Sequence, residues 1–436
     1  MSILDVSTGT TRFAQGTWTA GVIGLGYVGL PLAQTAAARG LSVVGYDVAG
    51  SRVNALNAGT SHIGDVTNGE LRAALDDGAR FTTDAAELAD ADALFITVPS
   101  PLGRNRQPDL SYIEAAAETV ARVARPGQVI CLESTTYPGT TEDYLLPAVE
   151  RAGLRLDVDV HVAFSPERID PGNVLDTASI PKVVGGVTPA SGEVAAEAYR
   201  RLVDHVHVVS SARAAELTKL LENTYRAINI AMINELTQVA EVFGIDIWEV
   251  VEAAATKPFG FQAFFPGPGV GGHCIPLDPQ FLAWRARELK VATRFIDLAE
   301  DINLHMPAYV VRRIADLLNT RGQALSASRI LGVGAAYKRD IADDRESPAL
   351  DVLRELERHG AQLAIFDPHV PEHRLSRHGY EVAREDDDLT VYDLAVVLTD
   401  HCAVDYAGLA GRVPAVFDTR GVYRRLGIEA TNVTVL

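Results

Sequence analysis

Cysteine is scarce. The chain holds three, Cys131, Cys274 and Cys402, widely spaced and odd in number. That excludes a disulfide framework and a CxxC metal site, and it suits a reducing compartment. Long apolar runs are also missing, and none approaches the roughly 20 residues that a membrane-spanning helix needs. The stretch up to Thr17 is polar, without the basic-then-apolar layout of a secretory leader, and residues 1–18 are expected to form a flexible tail. Positive charge is in deficit: 39 Lys and Arg against 57 Asp and Glu, a net charge of -18. This argues against a general nucleic-acid binder. The expectation is a cytoplasmic protein with neither nucleic acid nor membrane as partner. An anionic ligand remains open, because glycine-rich turns and helix N-termini bind phosphate locally.

At 436 residues the chain is too long for one core, and 47% hydrophobic with 22% charged residues is ordinary for globular domains. From Thr19 it reads TAGVIGLGYVGLPLAQTAAARGLSVVGYDV. An apolar strand runs into Gly24, Gly26 and Gly29, spaced G-x-G-x-x-G. An alanine-rich helix follows, and a second strand ends at Asp47. That context, rather than the glycines alone, is the dinucleotide fingerprint. The glycines, with Tyr27 and Val28 between them, let a pyrophosphate approach the backbone and the helix N-terminus. Asp47 would accept from a ribose hydroxyl and repel a 2′-phosphate, which favours NAD over NADP, with Arg52 five residues on as a counter-signal.

The strands Ala91–Pro101 and Gly127–Thr135 continue a βα alternation. Their terminal loops, carrying Thr97, Pro99, Ser134 and Thr135, should face the nicotinamide end of the cofactor, because ligands bind beyond the carboxyl ends of parallel strands. Cys131 reads as core. In VHVAFSPERIDPGN, Glu167 and Arg168 again follow a strand, either as a surface ion pair or as part of the site.

From Ser211 to Val242 no Pro or Gly interrupts a helical apolar pattern, giving a helix about 45 Å long. Lys219 and Asn223, at i and i+4, share one face among residues expected to be buried. Together they suit a developing oxyanion. FFPGPGVGGHCIPLDP then presents Cys274 on a loop shaped by proline and glycine, with Asp278 four residues on. Alone, this loop reads equally as a chemical site or as a connector with a small buried hydrophobe. After Gly322 the βα pattern restarts, but its first turn, GVGAAYK, lacks the third glycine and is not expected to hold NAD in the ordinary way. Cys402 reads as structural. Neither His273 nor His401 has a second ligand at metal-site spacing, so no metal is expected.

The motifs GLGYVGLP, ESTTYPGTTE, FSPERIDPGN, ELTKLLENTYRAINIAMINEL, GPGVGGHCIPLDP and YKRDIADDRES together resemble the UDP-sugar 6-dehydrogenase family. The resemblance runs from Thr19 to Tyr423. It implies an α/β protein with two Rossmann-like doubly wound domains joined by a long central helix. The domains expected are an NAD-binding one at 19–208, a central one at 209–322 with the cysteine loop and a dimer surface, and a UDP-sugar-binding one at 323–436.

It also implies that two NAD oxidise a primary alcohol to a carboxylate, with Cys274 as nucleophile. Lys219 and Asn223 would stabilise the oxyanion, Glu167 would help activate water, and Thr135 would assist. Asp278 would orient water or Lys219. Arg168, Phe265, Gly271, Lys338 and Arg420 would contact the UDP-sugar, and Arg345 would reach NAD. GGHCIPLDP and TKPFGFQAFFPGPG are closer to dehydrogenases of N-acetylated sugars, and among those to the ones acting on UDP-N-acetylglucosamine. UDP-N-acetylmannosamine and UDP-glucose stay open. So do a two-electron hydroxyacid-type dehydrogenase, which would not need Cys274, and a non-catalytic nucleotide-sugar sensor. The family setting implies homodimers or higher assemblies and a polysaccharide route.

Overall fold

The computed structural model describes residues 6–103, 107–168 and 177–436. It divides into two compact units, Met1–Glu222 with Gln280–Val291, and Asn223–Pro279 with Ala292–Leu436.

The first unit is built on eight strands: β1 (Thr19–Ile23), β2 (Ser42–Tyr46), β3 (Arg80–Thr82), β4 (Ala93–Ile96), β5 (Gln128–Leu132), β6 (Val160–Phe164), β7 (Lys182–Gly186) and β8 (Val206–Val209). Their order is β3-β2-β1-β4-β5-β6-β7-β8. All neighbours are parallel except β6 and β7. Strands β4 to β7 are buried along their whole length, as a sheet covered on both faces requires. The order reverses between β1 and β4, so the crevice beyond their carboxyl ends is the topological switch point.

Within the expected flexible tail at 1–18, the described residues are ordered. Val6–Gln15 is a helix packed on the helix Pro189–Arg200. Phe13 and Trp18 are buried in the core, edge to face with ring centroids 5.4 Å apart, and Arg12 pairs with Asp92. Two isolated aromatics in a polar stretch anchor it, because each buries a large apolar area.

The second unit holds β9 (Arg329–Val333), β10 (Gln362–Phe366), β11 (Glu381–Val382), β12 (Leu394–Val397), β13 (Val416–Asp418) and β14 (Val433–Val435). Their order, β11-β10-β9-β12-β13-β14, repeats the winding of β3-β2-β1-β4-β5-β6, and every pair is parallel. The long helix Ala212–Phe243 starts in the first unit and ends in the second. One of its faces contributes Leu220 and Ala231 to buried positions. Another leaves Leu217, Leu221, Tyr225, Met232, Leu236, Val239 and Phe243 exposed at helical spacing. Among the described residues no helix is long and apolar enough to cross a membrane.

Candidate active site

The glycine turn is held from behind by the β4 loop. Gly24 takes φ +96°, and its carbonyl accepts from the Thr97 hydroxyl at 2.7 Å. A Cβ on Gly29 would stand 1.9 Å from that carbonyl oxygen and 2.5 Å from Thr97 Oγ1, whereas one on Gly26 would meet nothing within 4 Å. Gly29 is therefore needed for close strand–helix packing, while Gly26 leaves the face toward a ligand open. Thr97 and Ser134, both expected to touch the cofactor, are buried. The Ser134 hydroxyl donates to the Val98 carbonyl at 2.7 Å. Pro99 and Tyr27 are exposed, and Val28 and Thr135 are half-buried.

Asp47 is almost fully buried. It accepts from the backbone N–H of Leu25 and of Ala49, each at 2.9 Å, and from Arg52 at 2.7 Å. Burial alone would raise its pKa. The N–H donors of Ala49 and Leu25 and the Arg52 guanidinium outweigh that and hold it below the ordinary carboxylate value. Arg52 is thus committed to Asp47 rather than posing the counter-signal read from its position. These residues fit NAD, which accepts a hydride when bound; Gly24, Gly26, Gly29 and Asp47 would hold it.

Glu167 and Arg168 do not form the mutual pair read from their adjacency. Glu167 takes Lys182 Nζ at 2.8 Å and the Arg168 backbone N–H at 2.6 Å. The Arg168 guanidinium instead binds Glu222 at 2.6 Å and the Pro181 carbonyl at 2.9 Å. The rest of their motif, residues 169–173, lies outside those described. Lys219 and Asn223 are both buried on the long helix. Three residues before Lys219, the buried Glu216 accepts from Gly139 N at 2.5 Å and from Thr141 N and Oγ1 at 2.9 and 2.7 Å. It thereby fixes the end of ESTTYPGTTE, a role that the motif itself does not disclose.

In the second unit the cysteine loop lies against the first turn of the second sheet. A Cβ on Gly271 would stand 2.5 Å from Pro348 and 2.6 Å from the Glu346 carbonyl, and one on Gly272 2.8 Å from the Tyr337 ring. Gly272 also donates to the Glu346 carbonyl at 3.2 Å. The glycines there serve close approach. Asn234, buried on the long helix, accepts from Gly267 N at 3.2 Å and donates to Asn303 at 2.9 Å. It was missed in the sequence, although an Asn inside an apolar helical pattern is its signal.

Cys274 is exposed. Its carbonyl accepts from Asp278 N at 2.8 Å, so the residue lies on the turn that leads into the helix Asp278–Glu288. The Asp278 carboxylate accepts from Asn223 Nδ2 at 2.6 Å. Asp278, expected to orient Lys219 or water, thus has Asn223 as one of its partners. His273 lies 3.5 Å from Asp343, and Arg345 binds the same carboxylate at 2.6 Å. Burial opposes ionisation of Asp343, but bonds to Arg345 and His273 hold its pKa well below the usual range. Arg345, expected at NAD, is engaged here by Asp343. Phe265 stacks on Trp248 with centroids 5.4 Å apart. Arg420 donates to the Leu398 carbonyl at 2.7 Å and lies beside Gly267. Lys338 is half-buried.

Asp367 ends β10 as Asp47 ends β2. It accepts from Ala335 N and Ala336 N at 2.7 and 3.0 Å, from His369 N and Val370 N, and from His401 at 3.0 Å. A Cβ on Gly334 would be 2.5 Å from Thr399. Donors from this chain thus surround the acid that the first turn would offer to a ribose. The fold also gathers Asp340, His369 and His401, with ligand atoms within 4.8 Å of one another, which the sequence spacing had not suggested. His401 nevertheless accepts from Asp340 N at 2.9 Å and donates its other nitrogen to Asp367, as befits a hydrogen-bonded core histidine. Cys402, expected to be structural, is exposed and receives Asp340 Oδ1 on its backbone N–H at 2.7 Å.

A G-x-G-x-x-G turn at the switch point of a doubly wound sheet, with a buried acid after the next strand, is the build of a dinucleotide-binding domain. The NAD binding domain of the UDP-glucose/GDP-mannose dehydrogenase family matches residues 19–203, its central domain 213–305 and its UDP binding domain 331–425. The chain belongs to this family of NAD-dependent nucleotide-sugar dehydrogenases. It is 37% identical over 352 residues (80% of this chain, 82% of the relative) to UDP-N-acetyl-D-glucosamine 6-dehydrogenase of Pseudomonas aeruginosa. It is 36% identical over 427 residues (94% and 98%) to NDP-N-acetyl-D-galactosaminuronic acid dehydrogenase of Ralstonia nicotianae. The solved UDP-D-ManNAc dehydrogenase of Pyrococcus horikoshii superposes with a TM-score of 0.85 at 31% identity, covering 96% of this chain and 98% of that one.

Proposed function

We propose that the protein oxidises the C6 hydroxymethyl group of a UDP-N-acetylhexosamine to the carboxylate, with UDP-N-acetylglucosamine as the preferred substrate. The observation that carries the reading is the short chain of bonds from the middle helix to the thiol. Asn223 donates to Asp278, whose N–H donates to the Cys274 carbonyl. A helix residue suited to an oxyanion is thereby tied to the turn that presents a nucleophile, and such preorganised donors act where charge develops.

In the first step the alcohol loses a proton and a hydride to give the aldehyde. Cys274 sulfur adds to the aldehyde carbon and forms a thiohemiacetal, the addition that holds the intermediate between oxidations. Loss of a second hydride and proton gives a thioester. Water then attacks the thioester carbon, and the carboxylate and the thiol are released. In this scheme Lys219 and Asn223 stabilise the oxygen that becomes negative, Asp278 fixes the Asn223 amide, and Glu167 takes the proton of the attacking water. Thr135 positions that water. Arg168, Phe265, Gly271, Lys338 and Arg420 receive the UDP-sugar, and Arg345 the cofactor.

The apolar face exposed on the long helix, from Leu217 to Phe243, supports a homodimer, since so contiguous a patch is unusual on a monomer. Light scattering that returned the mass of one chain would contradict it. Cytoplasmic location follows from the nucleotide-sugar and NAD requirement.

The substrate is tested by NADH formation with UDP-GlcNAc, UDP-ManNAc and UDP-glucose side by side. The expected kcat/KM is highest for UDP-GlcNAc, by about tenfold over its epimer, the size that one or two pocket contacts provide. A higher value for UDP-glucose would overturn the N-acetyl reading.

A further inference from the structure

Behind Glu167 lies a second set of charges that the scheme above leaves unused. Lys182, the first residue of β7, is buried. Its ammonium sits between two carboxylates, 2.7 Å from Glu133 and 2.8 Å from Glu167. Glu133 follows β5 and is wholly buried, and its other oxygen accepts from the Tyr199 hydroxyl at 2.7 Å. The ammonium also lies over the Tyr199 ring, 5.6 Å from its centre. Glu167 is the outer member, with its second oxygen held by the Arg168 N–H, while the Arg168 guanidinium turns away to Glu222. Cys131 completes the apolar floor beside Glu133.

We propose that Lys182 and Glu133 are positioning residues for Glu167, fixing its carboxylate and setting the pH at which it can take a proton. This rests on the reading that Glu167 serves thioester hydrolysis.

The charge count supplies the reason. Two carboxylates share one ammonium, so the cluster carries one net negative charge in a place where charge is expensive to hold. Removing the cation leaves two carboxylates facing each other and favours a proton on one of them; removing the inner carboxylate gives the cation wholly to Glu167. Burial raises the pKa of Glu133, with Lys182 opposing and Glu167 adding to the rise. The two acids act as one coupled system, and the substitutions push the working group in opposite directions.

The experiment is the pH profile of kcat for NADH formation by the full chain, on whichever of the three UDP-sugars the unsubstituted protein oxidises fastest. Glu133→Gln is expected to fold, since it keeps shape and the Tyr199 bond. Its acidic limb should move down by about half a unit or more. Lys182→Met should move the limb up by about one unit, which lowers kcat by about tenfold at pH values on the limb, with KM for NAD within about threefold. Lys182→Met is also the variant at risk of failing to fold, so the Glu133→Gln limb stands as an independent reading. Limbs that stay in place in Glu133→Gln, or that move the same way in both variants, overturn the proposal and leave only a structural ion cluster. Glu167→Gln separates the two layers. If it keeps kcat within about threefold of the unsubstituted protein, the reading of Glu167 itself is wrong, whatever Lys182 and Glu133 do.

Discussion

Cys274→Ala is expected to abolish uronate formation, with a loss of kcat on the order of 10⁴-fold or more, the scale seen when a covalent nucleophile is removed. The reasoning starts from geometry. Cys274 is exposed and its turn is fixed by the Asp278 N–H, so replacing the side chain removes the sulfur and leaves the turn in place. UDP-sugar and NAD should therefore bind with Kd values within about threefold of the unsubstituted protein. Without the thiol, an aldehyde formed in the first hydride transfer has nothing to hold it for the second. Cys274→Ser should release NADH in a burst and then stall, because an oxygen ester is attacked by water more slowly than a thioester. Rapid-mixing absorbance at the NADH band distinguishes the two variants. Normal turnover by Cys274→Ala would reduce the protein to a two-electron dehydrogenase.

Gly29→Ala and Gly26→Ala should part company. In a helix alanine is better than glycine by about 1 kcal/mol, so propensity alone predicts that Gly29→Ala, at the first helical residue, gains stability. At Gly29 the added methyl would stand 1.9 Å from a backbone carbonyl oxygen, and neither atom belongs to a flexible side chain that can move aside. Overpacking of that kind costs about 3 kcal/mol, so it outweighs propensity. The helix must back away from β1, and both stability and NAD affinity should fall. At Gly26 the methyl meets nothing of the protein. Gly26→Ala should keep its thermal midpoint within about 2 °C while raising KM for NAD by tenfold or more, because the lost space is the ligand's. Thermal unfolding with NAD titration reads both quantities. Equal stability losses in the two variants would show that the open face at Gly26 is not where a dinucleotide approaches.

That pair also marks what was legible in the chain. The glycine turn could be read because its determinants are local: strand, turn, helix and acid lie within about 30 residues. The same locality exposed the second winding, down to its altered first turn. Long-range pairing could not be read. Lys182 reaches Glu133 across 49 residues and Glu167 across 15, and only the strand order brings β5, β6 and β7 together. Adjacency misled in the opposite sense at Glu167 and Arg168, where neighbours in sequence take different partners. Arg345 and Thr97 also make bonds that neither the motif nor the strand-end position discloses, to Asp343 and to the Gly24 carbonyl. The N-terminal helix was lost because Phe13 and Trp18 show no period when read alone, and what holds them is the core they enter. Asp278 was recognised as important, but its partner was not, since an Asn 55 residues upstream becomes a neighbour only through the path of the long helix.

The central claim is a four-electron oxidation through a covalent station at Cys274. The most direct measurement is the number of NADH released per UDP-GlcNAc consumed, with the sugar product identified by mass. The account predicts two NADH and a product in which CH₂OH has become a carboxylate. One NADH per sugar, with an aldehyde as the end product, would contradict it.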